Sequence, residues 1–289
     1  MSSDNLLNKI KELREVTGVG FKDCKIAIDE TNGDIQKSVE LLRKKGIAKA
    51  NKRMGRVAAE GLVCVSEDSN KIAMVEINSE TDFVAKNNEF IIFAEEISKL
   101  SLEKKGKIED ILISNMTNQK NVEENLVDLV SKIGEKITIR RNAFVDSTNC
   151  VNFSYVHSSL KKNVGKLAVI LSLRSKKCKS ELSNLGKQLS MHIAASAPIS
   201  IDKEGLDKQV VEKEKEIIIE ELKNSGKDNK IIEKIALGKL NKFINDNTLL
   251  EQEWIIDPKK KVKDIIKEFS GNEDLKIESF FRFKVGEGL

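Results

Sequence analysis

The sequence predicts an α+β protein: an N-terminal three-helix bundle, then two related antiparallel-sheet-plus-helix subdomains, the second carrying an inserted antiparallel helical hairpin. Three observations predict it. Apolar residues in roughly the first fifty positions recur at helical spacing, and the chain then turns to β-rich runs joined by a short polar turn. A strand–helix–strand order follows and recurs, which suits small antiparallel sheets better than a parallel βαβ sheet. The recurrence is interrupted by a charged, periodic stretch of coiled-coil character.

The elements follow in order. "NLLNKIKELREVTG" places Leu6, Ile10, Leu13 and Val16 on one helix face and stops at Gly18. "DCKIAIDETNG" is a second short helix closed by Asn32 and Gly33. Asp34 then caps "IQKSVELLRKKG", with Ile35, Val39 and Leu42 on its apolar face. The bundle occupies residues 1–52, and a basic tether, "KANKRMGRVA", runs on to about 56.

Residues 57–146 form the first core subdomain. "EGLVCVSE" and "KIAMVEIN" read as a hairpin closed by Asp-Ser-Asn, followed by helices over about 88–102 and 122–132 and the strand "EKITIRRNAFV". Residues 147–289 form the second. "GKLAVILSLRS" is its strand, "SELSNLGKQLSMHIAASA" its helix, and "LKIESFFRFKV" its closing strand.

The insertion spans about 207–245. Val211, Ile218 and Leu222 face Ile232, Ile235 (or Ala236), Leu240 and Phe243 across an Asn-Ser-Gly turn, while Ile217 and Ile219 point off that stripe. Pro198 and Pro258 flank it as breakers.

Composition excludes several functions. With 50 basic and 46 acidic residues the net charge is only +4, just eight of the basic residues are scattered Arg, and aromatics are 4%. That pattern argues against direct nucleic-acid binding, which favours a basic stripe or stacking platforms. Cys24, Cys64, Cys150 and Cys178 lie far apart and the chain has two His, so no zinc spacing arises, and unpaired thiols suit a reducing cytoplasm. No signal core or membrane-spanning run is present. Phosphate-cradle, dinucleotide, metalloprotease and nucleophile-elbow motifs are lacking as well. The expectation is no enzyme, no cofactor and no bound metal, with His157 and His192 as isolated structural histidines.

One stretch stands out. In "NSETDFVAKN", residues 78–87, Asp82 and Phe83 sit side by side at a strand-to-helix junction. Ser79 or Thr81 has the chemistry to cap the following turn, and Asp82 completes a capping-box spacing from Ser79. Phe83 is then either a buried first-turn residue or a ring offered to a partner. "TGVGF" poses a similar choice, with turn chemistry on one side and a contact on the other.

"EINSETDFVAKN", with "LREVTGVGFKDCKIAI", "NGDI", "KIGEKITIRR", "HIAASAP" and "FRFKVGEG", resembles the bacterial translation elongation factor Ts family, in order and across nearly the whole chain. The first three helices on their own resemble a ubiquitin-associated domain. Taken alone they would suggest an interaction adaptor, and an RNA- or ribosome-associated protein is a third class.

The family resemblance implies a guanine nucleotide exchange factor whose partner is elongation factor Tu, GDP-bound and nucleotide-free. It implies that Thr81, Asp82, Phe83 and Val84 enter the partner's nucleotide site near Mg²⁺. It further implies partner contacts at Val19, Gly20, Phe21, Lys22 and Asp23, at Ile133 and Gly134, and at His157. The chain departs from the family pattern where "SSLKKNV" lengthens the link between His157 and Gly165, and where Trp254 follows Glu253 in place of a Pro-Phe pair. It also ends at "VGEGL", without a C-terminal helical extension whose contacts would be missing or supplied elsewhere. Three roles stay open for the hairpin: a homodimer contact, a grip on the partner, or an extension of the domain.

Overall fold

A computed structural model describes residues 3–17, 19–53, 55–146, 150–223, 229–271 and 274–289. Helices α1 (Ser3–Thr17), α2 (Phe21–Glu30) and α3 (Ile35–Arg53) close around Ile10, Leu13, Cys24, Ala27, Ile28 and Leu42. Asp34 caps α3 by accepting from the Lys37 amide at 3.0 Å. Helix α3 continues through the first part of the basic tether, as far as Arg53. The expected stop at Gly18 and the Asn-Ser-Gly turn at 224–226 lie outside the described residues.

Strands β1 (Glu60–Asp68) and β2 (Lys71–Ser79) form the expected hairpin. The one-turn helix α4 (Asp82–Ala85), then α5 (Asn88–Glu103), α6 (Ile108–Ile113) and α7 (Val122–Ile133), lead to β3 (Ile137–Val145). The second half holds β4 (Cys150–His157), the short β5 (Val164–Gly165), β6 (Leu167–Arg174) and α8 (Lys179–Ser196). The helical hairpin is α9 (Lys208–Lys223) and α10 (Asn229–Asn247). A small β7 (Glu253–Trp254) and β8 (Asp257–Lys261) pair, α11 (Val262–Ser270) and β9 (Lys276–Lys284) complete the chain.

Among the described residues the main sheets run β3-β2-β1-β5 and β4-β6-β9, all pairings antiparallel. They stack face to face. Leu62, Cys64, Val75 and Ile77 pack under α5, while Val63, Val65, Ile72 and Met74 on the opposite face meet Ala168, Ile170 and Phe283 of the second sheet. Val169, Leu171 and Leu173 turn the other way, onto α8. The layering is helix, sheet, sheet, helix, so both faces of β1 and β2 are covered and their burial is continuous rather than alternating. The repeat between halves is visible in detail: β2–β3 and β6–β9 each carry a register shift, at Glu76/Ile77 and at Ser172/Leu173.

Several expectations need correcting. Pro258 sits inside β8 rather than breaking structure, in a two-stranded ribbon whose edge tolerates a residue without an N–H. Strand β4 escapes its pattern because Asn152 is buried: its amide carries bonds to the Ser172 hydroxyl and the Asn70 carbonyl. In the hairpin, Ile218, Leu222, Ile232 and Ala236 form the seam, and Ile219 joins it from the side, so Ile217 alone of the expected pair is exposed. No helix among the described residues is long and apolar enough to cross a membrane.

Candidate functional site

The turn after β2 is built by its own polar atoms. The Ser79 hydroxyl donates to the Thr81 carbonyl at 2.9 Å, so the expected capping box from Ser79 to Asp82 does not form. Thr81 takes the N-cap position of α4 with extended backbone and no side-chain cap bond. Its hydroxyl instead reaches Glu135 at 2.8 Å, and its amide donates to the same carboxylate at 2.9 Å. Next to it, Glu80 accepts from the Lys136 amide at 2.6 Å and pairs with Arg56 at 3.2 Å. The Lys136 amide, with Arg56 behind it, holds the Glu80 carboxyl below its ordinary range.

These bonds lace the 79–83 turn to the segment after α7. Gly134 ends α7 in the left-handed region (φ 91°), a conformation that costs glycine least, and turns the chain so that Glu135 and Lys136 meet Thr81 and Glu80.

On this platform α4 points its side chains both ways. Val84 and Ala85 are buried in the first core and anchor the turn. Phe83 is 79% exposed. Asp82 is held by Lys86 at 2.8 Å, and that bond, with the Lys166 charge adding to it, keeps its carboxyl below the usual range.

Phe83, Val84, Asn87, Glu89, Lys132 and Ile133 line an open groove of about 450 Å³. Ile133 therefore does share a surface with Phe83, while Gly134 shapes the backbone behind it. Glu89 and Lys132 form an ion pair at 2.5 Å. The same pair lines a second groove of about 510 Å³, bounded by Val16, Thr17 and Val19 of the bundle and by Ile92 of α5. Helix α3 fixes the bundle against α7: Arg43 pairs with Glu124, and Arg53 donates to the Val130 carbonyl at 2.9 Å.

Of the bundle loop, Val19 lines this second groove, while Gly20, Phe21, Lys22 and Asp23 line neither. Val19 packs on the bundle core, and its carbonyl accepts from the Cys24 thiol at 3.4 Å. Gly20 starts α2 with extended backbone, Phe21 is 44% exposed, Lys22 is exposed and Asp23 is half-buried. His157 lines neither groove. It ends β4 opposite Leu167, exposed, with Nδ1 2.9 Å from the Tyr155 hydroxyl.

Sequence reasoning missed Glu80, Glu89, Lys132, Glu135 and Lys136. In a chain that is one-third charged nothing singles them out, although Glu135 and Lys136 directly follow the flagged Gly134.

The turn thus holds an exposed ring over an open groove, fixed by buried anchors and ion-paired neighbours. No cluster among the described residues could hold a metal ion. The family model described as Elongation factor TS matches residues 80–287. Proteins named Elongation factor Ts from Methylorubrum populi and Rickettsia prowazekii are 43% and 41% identical over 283 residues. Each alignment covers 97% of this chain, and 92% and 91% of the respective relatives. A Methylorubrum extorquens protein of the same name is 44% identical over 97% of this chain and 92% of its own. The chain belongs to the elongation factor Ts family.

Proposed function

We propose that this protein is a guanine nucleotide exchange factor of translation elongation, acting in the cytoplasm, which binds elongation factor Tu carrying GDP and promotes release of the nucleotide. The observation that carries the reading is the exposure of Phe83. A ring left in water on a turn this well fixed has its burial available for a partner, and burying it contributes about 1.5–3 kcal/mol. The same turn presents Asp82, which brings negative charge to a cation site.

The chemistry asked of this chain is mechanical and electrostatic rather than covalent. Mg²⁺ demands near-ideal octahedral geometry, so a small displacement of a ligand-bearing helix weakens it strongly. Phe83 has the bulk to wedge such a helix, and a displaced ion leaves the phosphate charge of GDP poorly neutralised.

Exchange is then a coupling free energy: what the factor takes from GDP affinity, GDP takes equally from affinity for the factor. A thousandfold weakening needs about 4 kcal/mol, more than Phe83 alone supplies. The remainder comes from the bundle loop, Val19 to Asp23, and from the surface at Ile133. Val19 and Ile133 each line a groove that contains the Glu89–Lys132 pair, and Phe83 lines the groove of Ile133, which supports this reading.

Release of a fluorescent GDP analogue from elongation factor Tu, with and without this protein, tests the reading. Acceleration supports it, and an unchanged release rate sinks it.

A further inference from the structure

Away from the grooves, Glu76 is a fully buried carboxylate that the docking face does not use. It sits on β2, three residues before the 79–83 turn begins. Oε1 accepts from Arg140 Nη1 at 2.9 Å, from the Gly286 amide at 2.9 Å and from Asn78 Nδ2 at 3.2 Å, and Oε2 accepts from Arg141 Nε at 2.5 Å. Burial alone would raise this carboxyl. The Gly286 amide and the two guanidinium groups outweigh it, so the group is held ionised.

Consecutive strand residues normally point to opposite faces, yet Arg140 and Arg141 grip one carboxylate. The register shift explains it: Glu76 pairs with Arg141 and Ile77 with Ile139, so Arg140 is the extra residue of a bulge, which re-aims its side chain. Both arginines also hold the end of the chain. Arg140 Nη2 donates to the Glu287 carbonyl at 2.6 Å, and Arg141 donates to the Lys284 carbonyl at 3.2 Å while lying 4.3 Å over the Phe283 ring. Gly286 has φ 75°, and a Cβ there would lie 2.2 Å from the Ala59 carbonyl oxygen, so the C-terminal turn is pressed against the approach to β1.

On the other side, Asn78, one residue before the turn, links the carboxylate to the start of β1. It is buried, and besides Glu76 its amide donates to the Glu60 carbonyl at 3.1 Å. The next residue, Ser79, bonds Thr81. Hydrogen bonds thus run from the C-terminal turn of the second half through Glu76 to Asn78, and the backbone carries on from Asn78 directly into the turn that holds Phe83.

We propose that Glu76 is a positioning residue for nucleotide exchange: clasped by Arg140, Arg141 and the Gly286 turn, it makes the second half of the core set the end of β2 and hence the angle at which Phe83 is presented. The inference rests on the exchange reading above. It predicts a division of labour, since the bundle loop and the Ile133 surface are built on other elements and keep their grip when the clasp is lost.

The test uses the full chain with Glu76→Gln, which keeps shape and removes charge, and Gly286→Ala, which pushes the turn from Ala59. Maximal GDP release is expected to fall about tenfold in each, equivalent to ~1.4 kcal/mol of lost positioning, with little change in half-saturating concentration. The double variant should lose no more than either alone, because both break one chain of contacts. Amide hydrogen exchange should quicken at residues 81–84 and stay slow at 72–75.

A rise in half-saturating concentration at unchanged maximal release would overturn the proposal, as would additive losses. So would uniform loss of protection across the sheet, which marks Glu76 as a general stabiliser. Should Glu76→Gln fail to fold, Gly286→Ala still decides. If the unaltered protein releases no GDP, the exchange reading falls while the hydrogen-exchange arm still reads the clasp.

Discussion

Glu135 holds Thr81 at two atoms, its backbone amide at 2.9 Å and its hydroxyl at 2.8 Å, although 54 positions separate them in the chain. This pairing fixes the N-terminus of α4, and with it the direction of Phe83, from a segment that itself follows the Ile133–Gly134 corner. The turn is therefore set by the corner between α7 and β3 as much as by its own residues.

Thr81→Val removes the hydroxyl bond and leaves the amide bond. A net cost of ~1 kcal/mol in turn positioning slows GDP release about fivefold. Glu135→Ala loses both bonds and strands an amide, so its loss should be larger. Equal release by Thr81→Val and the unaltered protein would show that the clamp is not needed.

His192 gives a pH dependence. It is fully buried in α8, stacked on Trp254 at 5.1 Å, with Nε2 3.0 Å from the Gln252 side-chain oxygen and Nδ1 accepting from the Ile255 amide at 3.4 Å. Burial pulls its pKa down, and the Gln252 bond only partly opposes that. With the folded value below the unfolded one, the unfolded chain takes up a proton first as pH falls. The stability tied to neutral His192 is therefore present above about pH 6.5 and drains away below it, toward the depressed folded value. Tm should decline from about pH 6.5 to 5.5 in the unaltered protein and decline less in His192→Gln. Parallel profiles would contradict this assignment.

The helical hairpin should be dispensable for exchange. It leaves and rejoins the core at one place, where the Ile199 amide meets the Asn247 carbonyl at 2.9 Å and the Leu249 amide meets the Ser200 carbonyl at 2.9 Å. A short Gly/Ser turn replacing residues 211–243 would bridge that gap. Val210 and Ile217, seven apart on α9, are exposed, as is Leu237 on α10, and such apolar side chains left in water suit self-association. The shortened protein is expected to sediment as a monomer, the intact one as a larger species, and both to release GDP. Exchange lost with the hairpin would mean that it grips the partner instead.

Much of the fold was legible because its signals are local. Helical spacing marked α1 and α3, and a polar turn between two β-rich runs marked the β1–β2 hairpin. What stayed hidden depends on tertiary partners. Strand β4 hides behind Asn152, whose burial makes sense only once Ser172 lies opposite. Phe83 was readable as a special residue, but its neighbours on pattern alone favoured a buried first-turn ring. The exposure follows from Val84 and Ala85 taking the inward positions of α4. Glu135 and Glu76 could not be singled out, since a carboxylate's meaning lies in the donors folding brings to it.

If exposed Phe83, on a turn fixed by Glu135 and anchored by Val84, drives nucleotide release from elongation factor Tu, then removing its ring slows that release. The most direct measurement compares GDP release by the unaltered protein and Phe83→Ala at equal concentration, with thermal melts of both. Because the ring is in water in the free protein, its removal should leave Tm essentially unchanged while costing on the order of 2 kcal/mol in the complex, about thirtyfold in release. Release at the unaltered rate, or a melt that loses its cooperative transition, would rule out this role for Phe83.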